Sequence, residues 1–453
     1  MHLEPTPKPA GAGEAKYAWY KDMTGYHWFV VMIASVGWMF DTMDQQLFNL
    51  ARKPAITELL GRGATAGAVD YNAGISTAIF MVGWALGGLL FGVLGDRIGR
   101  VKTMTLTILC YSLFTVANSF SHGIWDFCLY RFLCGFGVGG QFAVGVALVA
   151  EVVPARPRPY ALGLVQAASA LGNVMAALVG ILLGKLEQTG TITGAWRYLF
   201  LAGAIPAPLA ILVFKRLKEP EAWLIARAAK SRMGSFTELF SDDRWRRHAI
   251  VGMLLAFAGV VGLWGIGFFS YDLFRPALAK TFTDQGFTGA ALQGRITTWI
   301  GLTSLFQNLG AFFGIYAFTY LTQRTGRRKA FGVSFLAAMG MTAFTFWNLR
   351  NLSDIFWMVP LMGFAQLSVF GGYAIYFPEL FPTRLRSTGT SFCYNVGRLV
   401  AAAGPLTLGA LAGKVFHGPD ALRFAGVSMC GVFLVGILAL PFAPETKDKP
   451  LPQ

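Results

Sequence analysis

The sequence predicts an all-α membrane protein of 12 transmembrane helices in two pseudo-symmetric six-helix bundles, and three observations carry that prediction. The 453 residues are 55% hydrophobic and 13% charged, about half the charged share of a soluble globular chain. Charge-free apolar runs of about 20 residues recur along the chain, long enough to cross a hydrocarbon core as helices. Two short motifs recur at nearly one offset, which marks a duplicated unit.

Water is absent from the bilayer core, so each run must satisfy its own backbone hydrogen bonds, as a helix does. A membrane barrel would show short alternating segments instead. Taken in order, the runs place spans at 26–49, 72–94, 103–121, 126–150, 160–184, 197–214, 249–272, 296–321, 330–349, 355–378, 387–412 and 424–442. The organisation that follows is an N-terminal tail (1–25), a first bundle (26–214), a central loop (215–248), a second bundle (249–442) and a C-terminal tail (443–453). The tail 1–25 lacks the apolar core and cleavage site of a signal peptide, so the first span is expected to act as the targeting signal. The central loop is rich in Lys and Arg and suits amphipathic helices on the inner membrane face.

The net charge of +15 raises a nucleic-acid reading that its distribution excludes. With the N-terminus in the cytoplasm, about 25 of the basic residues fall in cytoplasmic segments, the asymmetry of the positive-inside rule. This predicts an inner (plasma) membrane protein with both termini cytoplasmic and its basic face against anionic lipid. Cys110, Cys128, Cys134, Cys393 and Cys430 fall within or at the ends of spans without metal-ligand spacing, and are expected to pack as small apolar groups. No cofactor, metal or nucleophile–base arrangement is indicated, which argues against an enzyme.

The repeat pairs Gly92-Val-Leu-Gly-Asp96-Arg97-Ile-Gly99-Arg100-Val-Lys102 with Thr319-Tyr-Leu-Thr-Gln323-Arg324-Thr-Gly326-Arg327-Arg328-Lys329, and Glu151-Val-Val-Pro154-Ala-Arg-Pro-Arg158 with Glu379-Leu-Phe-Pro382-Thr-Arg-Leu-Arg386. An even number of crossings per half relates the halves by an axis along the membrane normal, which suits rocking about a central site. These residues give the chain its resemblance to the major facilitator superfamily. Gly92–Lys102 resembles the family's loop motif, and Arg131 with Gly135, Gly137, Gly139 and Gly140 its fourth-span motif. Glu219-Pro220-Glu221 and Pro444-Glu445-Thr446-Lys447 resemble signatures of the sugar-porter-like branch. Asp41-Thr-Met-Asp44 resembles the first-span element of proton symporters for aromatic acids and related metabolites.

Ionisable groups inside spans are costly and mark candidate functional sites. Asp41 and Asp44, three residues apart, share a helix face, and two carboxylates in a dry place do not both ionise easily. Helical rise places Arg131 level with Asp44, so the spacing predicts a proton-coupling group of Asp41, Asp44 and Arg131, with a fixed structural ion pair as the alternative. Arg398 is expected about 16 Å into its span, where a two-pronged guanidinium suits a substrate carboxylate. Tyr394 and Asn395 lie one turn before it. Gln141, Gln166, Gln307, Asn308, Gln366 and Tyr373 are further candidates for the cavity wall, or for joining neighbouring helices. Gln141 stands where related symporters often carry Glu, which leaves the Asp pair as the proton site.

The resemblance implies that Asp96 holds the N-terminal end of a helix in the other half. It also implies a cytoplasmic gate built from Arg97, Arg100, Glu151 and Arg158. The second half repeats this with Arg324, Arg327, Glu379 and Arg386, but Gln323 replaces the acid. The function expected is alternating-access transport, as proton-coupled symport of a small organic anion, a monocarboxylate or aromatic acid. A sugar facilitator or sugar:proton symporter and a non-transporting sensor of the same fold remain as alternatives.

Overall fold

The computed structural model describes residues 18–452 apart from 62, 189, 230–231, 267–269, 402–406, 409–410, 412–414 and 419. Most of the tail expected at 1–25 therefore lies outside the described residues. In the first half, α1 spans Gly25–Leu60, α2 Ala66–Arg97, α3 Arg100–Asn118, α4 Ile124–Val152 and α5 Arg158–Gln188. The sixth crossing is built from α6 (Ala195–Leu201) and α7 (Ala207–Arg216), joined by a 3-10 turn. Two short helices, α8 (Glu221–Ala228) and α9 (Phe236–Ser241), lie in the central loop.

The second half begins at α10 (Asp243–Val260), followed by a π-helical turn over Val261–Ile266 and by α11 (Ser270–Asp284). It continues through α12 (Gly289–Thr325), α13 (Arg327–Asn348), α14 (Leu352–Leu380) and α15 (Arg386–Ala401). The last crossing is α16 (Ala421–Met429) with α17 (Val432–Ala439). Part of the 387–412 span lies outside the described residues. Among the described residues, eight helices are long and apolar enough to cross a membrane by length and composition alone; α1, α3, α12 and α15 complete the set, and the protein is multi-pass.

Several helices run past their apolar cores. The first ends at residue 60, not 49, because hydropathy falls at Arg52 and Glu58 while the helix continues. Its projecting end is tied to α6, where the Glu58 carboxylate accepts from the Trp196 indole N–H at 2.6 Å and from Arg197 at 3.0 Å. The seventh crossing likewise starts at Asp243, capped by Asp242, and not at 249.

Close approach of α2 and α4 depends on the glycine run 135–140. A Cβ on Gly139 would collide with the Trp84 carbonyl, so small residues set this distance as they do in other membrane bundles. The two loop motifs lie on one face of the molecule, called the motif face below. Gly99 and Gly326 turn the chain there with φ of +113° and +91°, a region that favours glycine. Residues at the start and end of the described range also meet this face: Trp19 stacks on Tyr160 at 5.3 Å, and Arg386 donates to the Pro452 carbonyl at 3.1 Å.

Candidate functional site

A cavity lies between the two halves, with walls from α1, α2 and α5 on one side and α12, α14 and α15 on the other. Arg398 is its cation. The side chain is buried, with its guanidinium 3.6 Å from the Trp84 ring centroid and 4.5 Å from that of Tyr394. Its Nε and Nη1 have no hydrogen-bond partner among the described residues. Trp84 belongs to the first half, and Tyr394 stacks on Phe142 of that half at 4.6 Å. Arg398 is thus held across the interface by aromatic faces, which orient it and spare its donors.

Gln166, Gln307 and Asn308 also line the cavity, together with Gln45, Asn173 and Trp38. Asn173 donates to Asn308 at 2.8 Å, a hydrogen bond that joins α5 to α12 across the halves. The other four wall candidates are turned elsewhere. Gln141 accepts from Thr107 at 2.7 Å, Gln366 donates to Thr342 at 2.9 Å and Tyr373 donates to the Leu255 carbonyl at 2.5 Å. Asn395 donates to the Ser391 carbonyl at 3.0 Å, packed against Gly88. Buried amides and hydroxyls seek partners, and each of these four finds one within or between helices, although Gln141 Nε2, Gln366 Oε1 and Asn395 Oδ1 have none among the described residues.

The two aspartates of α1 have different surroundings. Asp44 accepts from Thr115 at 2.5 Å and from the Cys134 thiol at 3.2 Å, and Arg131 approaches it at 3.9 Å. The Arg131 guanidinium makes no hydrogen bond among the described residues. Its guanidinium lies 4.8, 5.3 and 5.0 Å from the rings of Phe48, Phe80 and Phe200. Asp41 is fully buried, and neither of its oxygens has a hydrogen-bond partner among the described residues. Among the described residues it makes no ion pair, and Asp44 lies three residues along the same helix. Thr115 and Cys134 carried no sequence signal for this role, since each reads as an ordinary small residue of its span.

On the motif face the first loop copy crosses between halves. Asp96 accepts from the backbone N–H groups of Ser387 (3.1 Å) and Thr388 (2.8 Å) and from the Thr388 hydroxyl (2.6 Å), at the start of α15. Arg100 pairs with Asp96 at 3.0 Å and with Glu151 at 2.8 Å. Glu151 also takes Arg386 of the other half at 2.7 Å, and Arg100 donates to the Thr383 carbonyl at 2.7 Å. The halves are joined here.

Among the described residues, the hydrogen bonds and ion pairs of the second loop copy stay within its own half. Arg327 pairs with Glu379 at 2.8 Å, and Thr446 donates to that carboxylate at 2.6 Å. Gln323 leaves its amide nitrogen without a partner among the described residues. Three arginines grouped with the gate are placed differently. Arg97 donates to the Met233 and Gly234 carbonyls of the central loop, and Arg158 to the Val153 carbonyl. Arg324 lies over the Tyr320 ring at 4.2 Å. Long side chains on a crowded basic turn settle on the nearest acceptors, and spacing does not specify which.

Glu219 and Glu445 hold positions that the motif resemblance quoted without a role. Glu219 accepts from the N–H groups of Arg100 (2.7 Å) and Val101 (3.0 Å), and Glu445 from those of Arg327 (2.9 Å) and Arg328 (3.2 Å). Each carboxylate satisfies the free donors that open α3 or α13. Their matching places in the two repeats were the available signal.

The sequence model of the Major Facilitator Superfamily matches residues 29–405. This chain belongs to that superfamily. As a major facilitator it is a transporter and not an enzyme. A probable 4-methylmuconolactone transporter of Cupriavidus pinatubonensis is 28% identical over 433 residues, covering 95% of this chain and 94% of the relative. The cis,cis-muconate transport protein of Acinetobacter baylyi is 28% identical over 386 residues, covering 84% and 87%. Among solved structures, the major facilitator proton:xylose symporter XylE superposes with a TM-score of 0.71 at 17% identity, covering 94% of this chain and 98% of that one. That likeness concerns the fold.

Proposed function

We propose that this major facilitator is a proton-coupled symporter of a small organic anion, with Arg398 as carboxylate clamp and Asp41 as proton site. Arg398 carries the reading. A guanidinium keeps its charge at any working pH and offers paired donors to a carboxylate. This one stands at the wall of the central cavity with two nitrogens unpartnered. The relative named for muconate supports an acid as cargo.

Coupling follows from competition. An ionised Asp41 attracts Arg398; a protonated Asp41 leaves the guanidinium to the substrate carboxylate. Proton and anion then load together, and rocking of the halves carries both to the other side. Asp44, held by Thr115, Cys134 and Arg131, braces the first half in this scheme. The Asp96 and Glu151 cluster holds the motif face, the cytoplasmic side of the plasma membrane in this reading, closed. The Asn173–Asn308 hydrogen bond separates when the halves part on the opposite side.

Amide-rich walls (Gln45, Gln166, Gln307 and Asn308) also suit the hydroxyls of a neutral sugar, which keeps sugar transport as the second reading. Proteoliposomes challenged with nicotinate, benzoate, muconate and xylose separate the two. Accumulation of an acid driven by an inward proton gradient, unaffected by excess xylose, is expected. Xylose uptake indifferent to all three acids would reverse the assignment.

A further inference from the structure

A second concave site lies on the motif face of the C-terminal half, away from the central cavity. Its walls are the start of α10 with Arg244 and Arg247, the start of α13 with Arg328, and the segment Pro441–Glu445 after α17. Its two acids are engaged elsewhere. Asp243 pairs with Arg246 at 2.5 Å, and Glu445 accepts the backbone N–H groups of Arg327 and Arg328. All three arginines are exposed. Arg244 lies over the Trp245 ring at 4.6 Å, and among the described residues the Arg328 guanidinium donates to the Pro441 carbonyl alone, at 3.4 Å. The cup therefore gathers three guanidiniums whose mutual repulsion an anion would relieve.

An apolar stripe leads away from it. Leu434, Leu438 and Phe442 recur every four residues along the last crossing and are 46%, 71% and 59% exposed. Phe442 belongs to both features, since it also lines the cup. The stripe extends about 12 Å at the helical rise, comparable to the upper part of an acyl chain. We propose that this surface binds one anionic phospholipid, with its phosphate in the arginine cup and an acyl chain along Leu438 and Leu434. Arginine forks match phosphate oxygens, and basic pockets between helix ends at a membrane surface select anionic headgroups. A soluble phosphate would use the cup and ignore the stripe.

The test is native mass spectrometry of the full chain from detergent micelles containing equal phosphatidylglycerol and phosphatidylcholine. One phosphatidylglycerol per protein is expected to be retained in preference. At about fivefold for each basic group, the double variant Arg247→Gln/Arg328→Gln should lower that preference by about 25-fold. Arg247→Lys/Arg328→Lys should keep most of it, which separates lost charge from a fold defect. Arg216→Gln, a basic change in the other half, should have no effect, and Leu438→Asn should weaken retention. Equal retention of both lipids overturns the proposal, as does a loss from Arg216→Gln equal to that of the double variant. Displacement by millimolar inorganic phosphate with no effect of Leu438→Asn would make the cup a free-phosphate site and also overturn it.

Discussion

Among the buried arginines, Arg131 of the first half and Arg398 of the second lie inside the spans, and the two are treated differently. Arg131 faces a carboxylate, Asp44, inside a box of three phenylalanines. Arg398 lies at the central cavity between Trp84 and Tyr394, with two donors unpartnered. The loop copies diverge in the same manner. The first reaches across to α15 through Asp96, whereas the second, with Gln323, closes on its own half. What the repeats share is scaffold: the Gly99 and Gly326 turns, the Glu219 and Glu445 caps, and the Arg–Glu pairs behind them. What they do not share is the acid that caps a helix of the other half, Asp96 in the first copy and Gln323 in the second. Duplication preserved the frame, and function separated the halves.

The largest expected effect tests the contrast between the arginines. Arg398→Lys keeps the charge but loses the planar fork, and should reduce acid uptake by about 100-fold, in line with loss of a buried charged contact. Its thermal stability should change little, because Arg398 carries no ion pair among the described residues. Uptake assays and melting curves on one preparation check both expectations.

The contrast between loop copies is sharpened by Asp96→Asn. Removing the charge that caps α15 costs about 1–2 kcal/mol, so exchange of the Ser387 and Thr388 amides with deuterium should speed about tenfold. The reverse change, Gln323→Asp, should not create an equivalent lock. The residues of α5 matching Ser387 and Thr388 are Pro159 and Tyr160, and proline has no N–H to offer. Protection at the start of α5 should stay within about twofold under the same deuterium measurement.

The smallest effect concerns the shared scaffold. Burial raises the Glu445 pKa, but hydrogen bonds from the Arg327, Lys447 and Arg328 amides outweigh it and hold the group below its ordinary 4.5. A lowered folded-state pKa contributes stability that is present above the unfolded value and lost as pH falls through the folded one. Melting temperature should therefore decline below pH 4.5 through this group. Glu445→Gln should remove that part of the decline and cost about 1 kcal/mol at neutral pH.

Much of the fold was legible because hydrocarbon demands long apolar helices and because duplication leaves matched motifs in register. Depth and the fourth-span motif set Arg131 level with the acidic pair of α1 without choosing between Asp41 and Asp44; in the structure Asp44 is the one it approaches, at 3.9 Å. Side-chain direction was less accessible. Spans such as α4 and α14 are apolar on nearly every side, so their composition does not fix which face meets the cavity. Gln141, Gln366 and Tyr373 were therefore grouped with Gln166 although neighbouring helices take their hydrogen bonds. The division between Asp41 and Asp44 was also hidden, since it depends on Thr115 and Cys134 arriving from α3 and α4.

The central claim is that Asp41 and the substrate share Arg398, and Asp41→Asn tests it most directly. Asparagine imitates the protonated acid, so proteoliposomes carrying this variant should retain acid counterflow while losing accumulation driven by a proton gradient. Gradient-driven accumulation that survives in the Asp41→Asn protein would contradict the account.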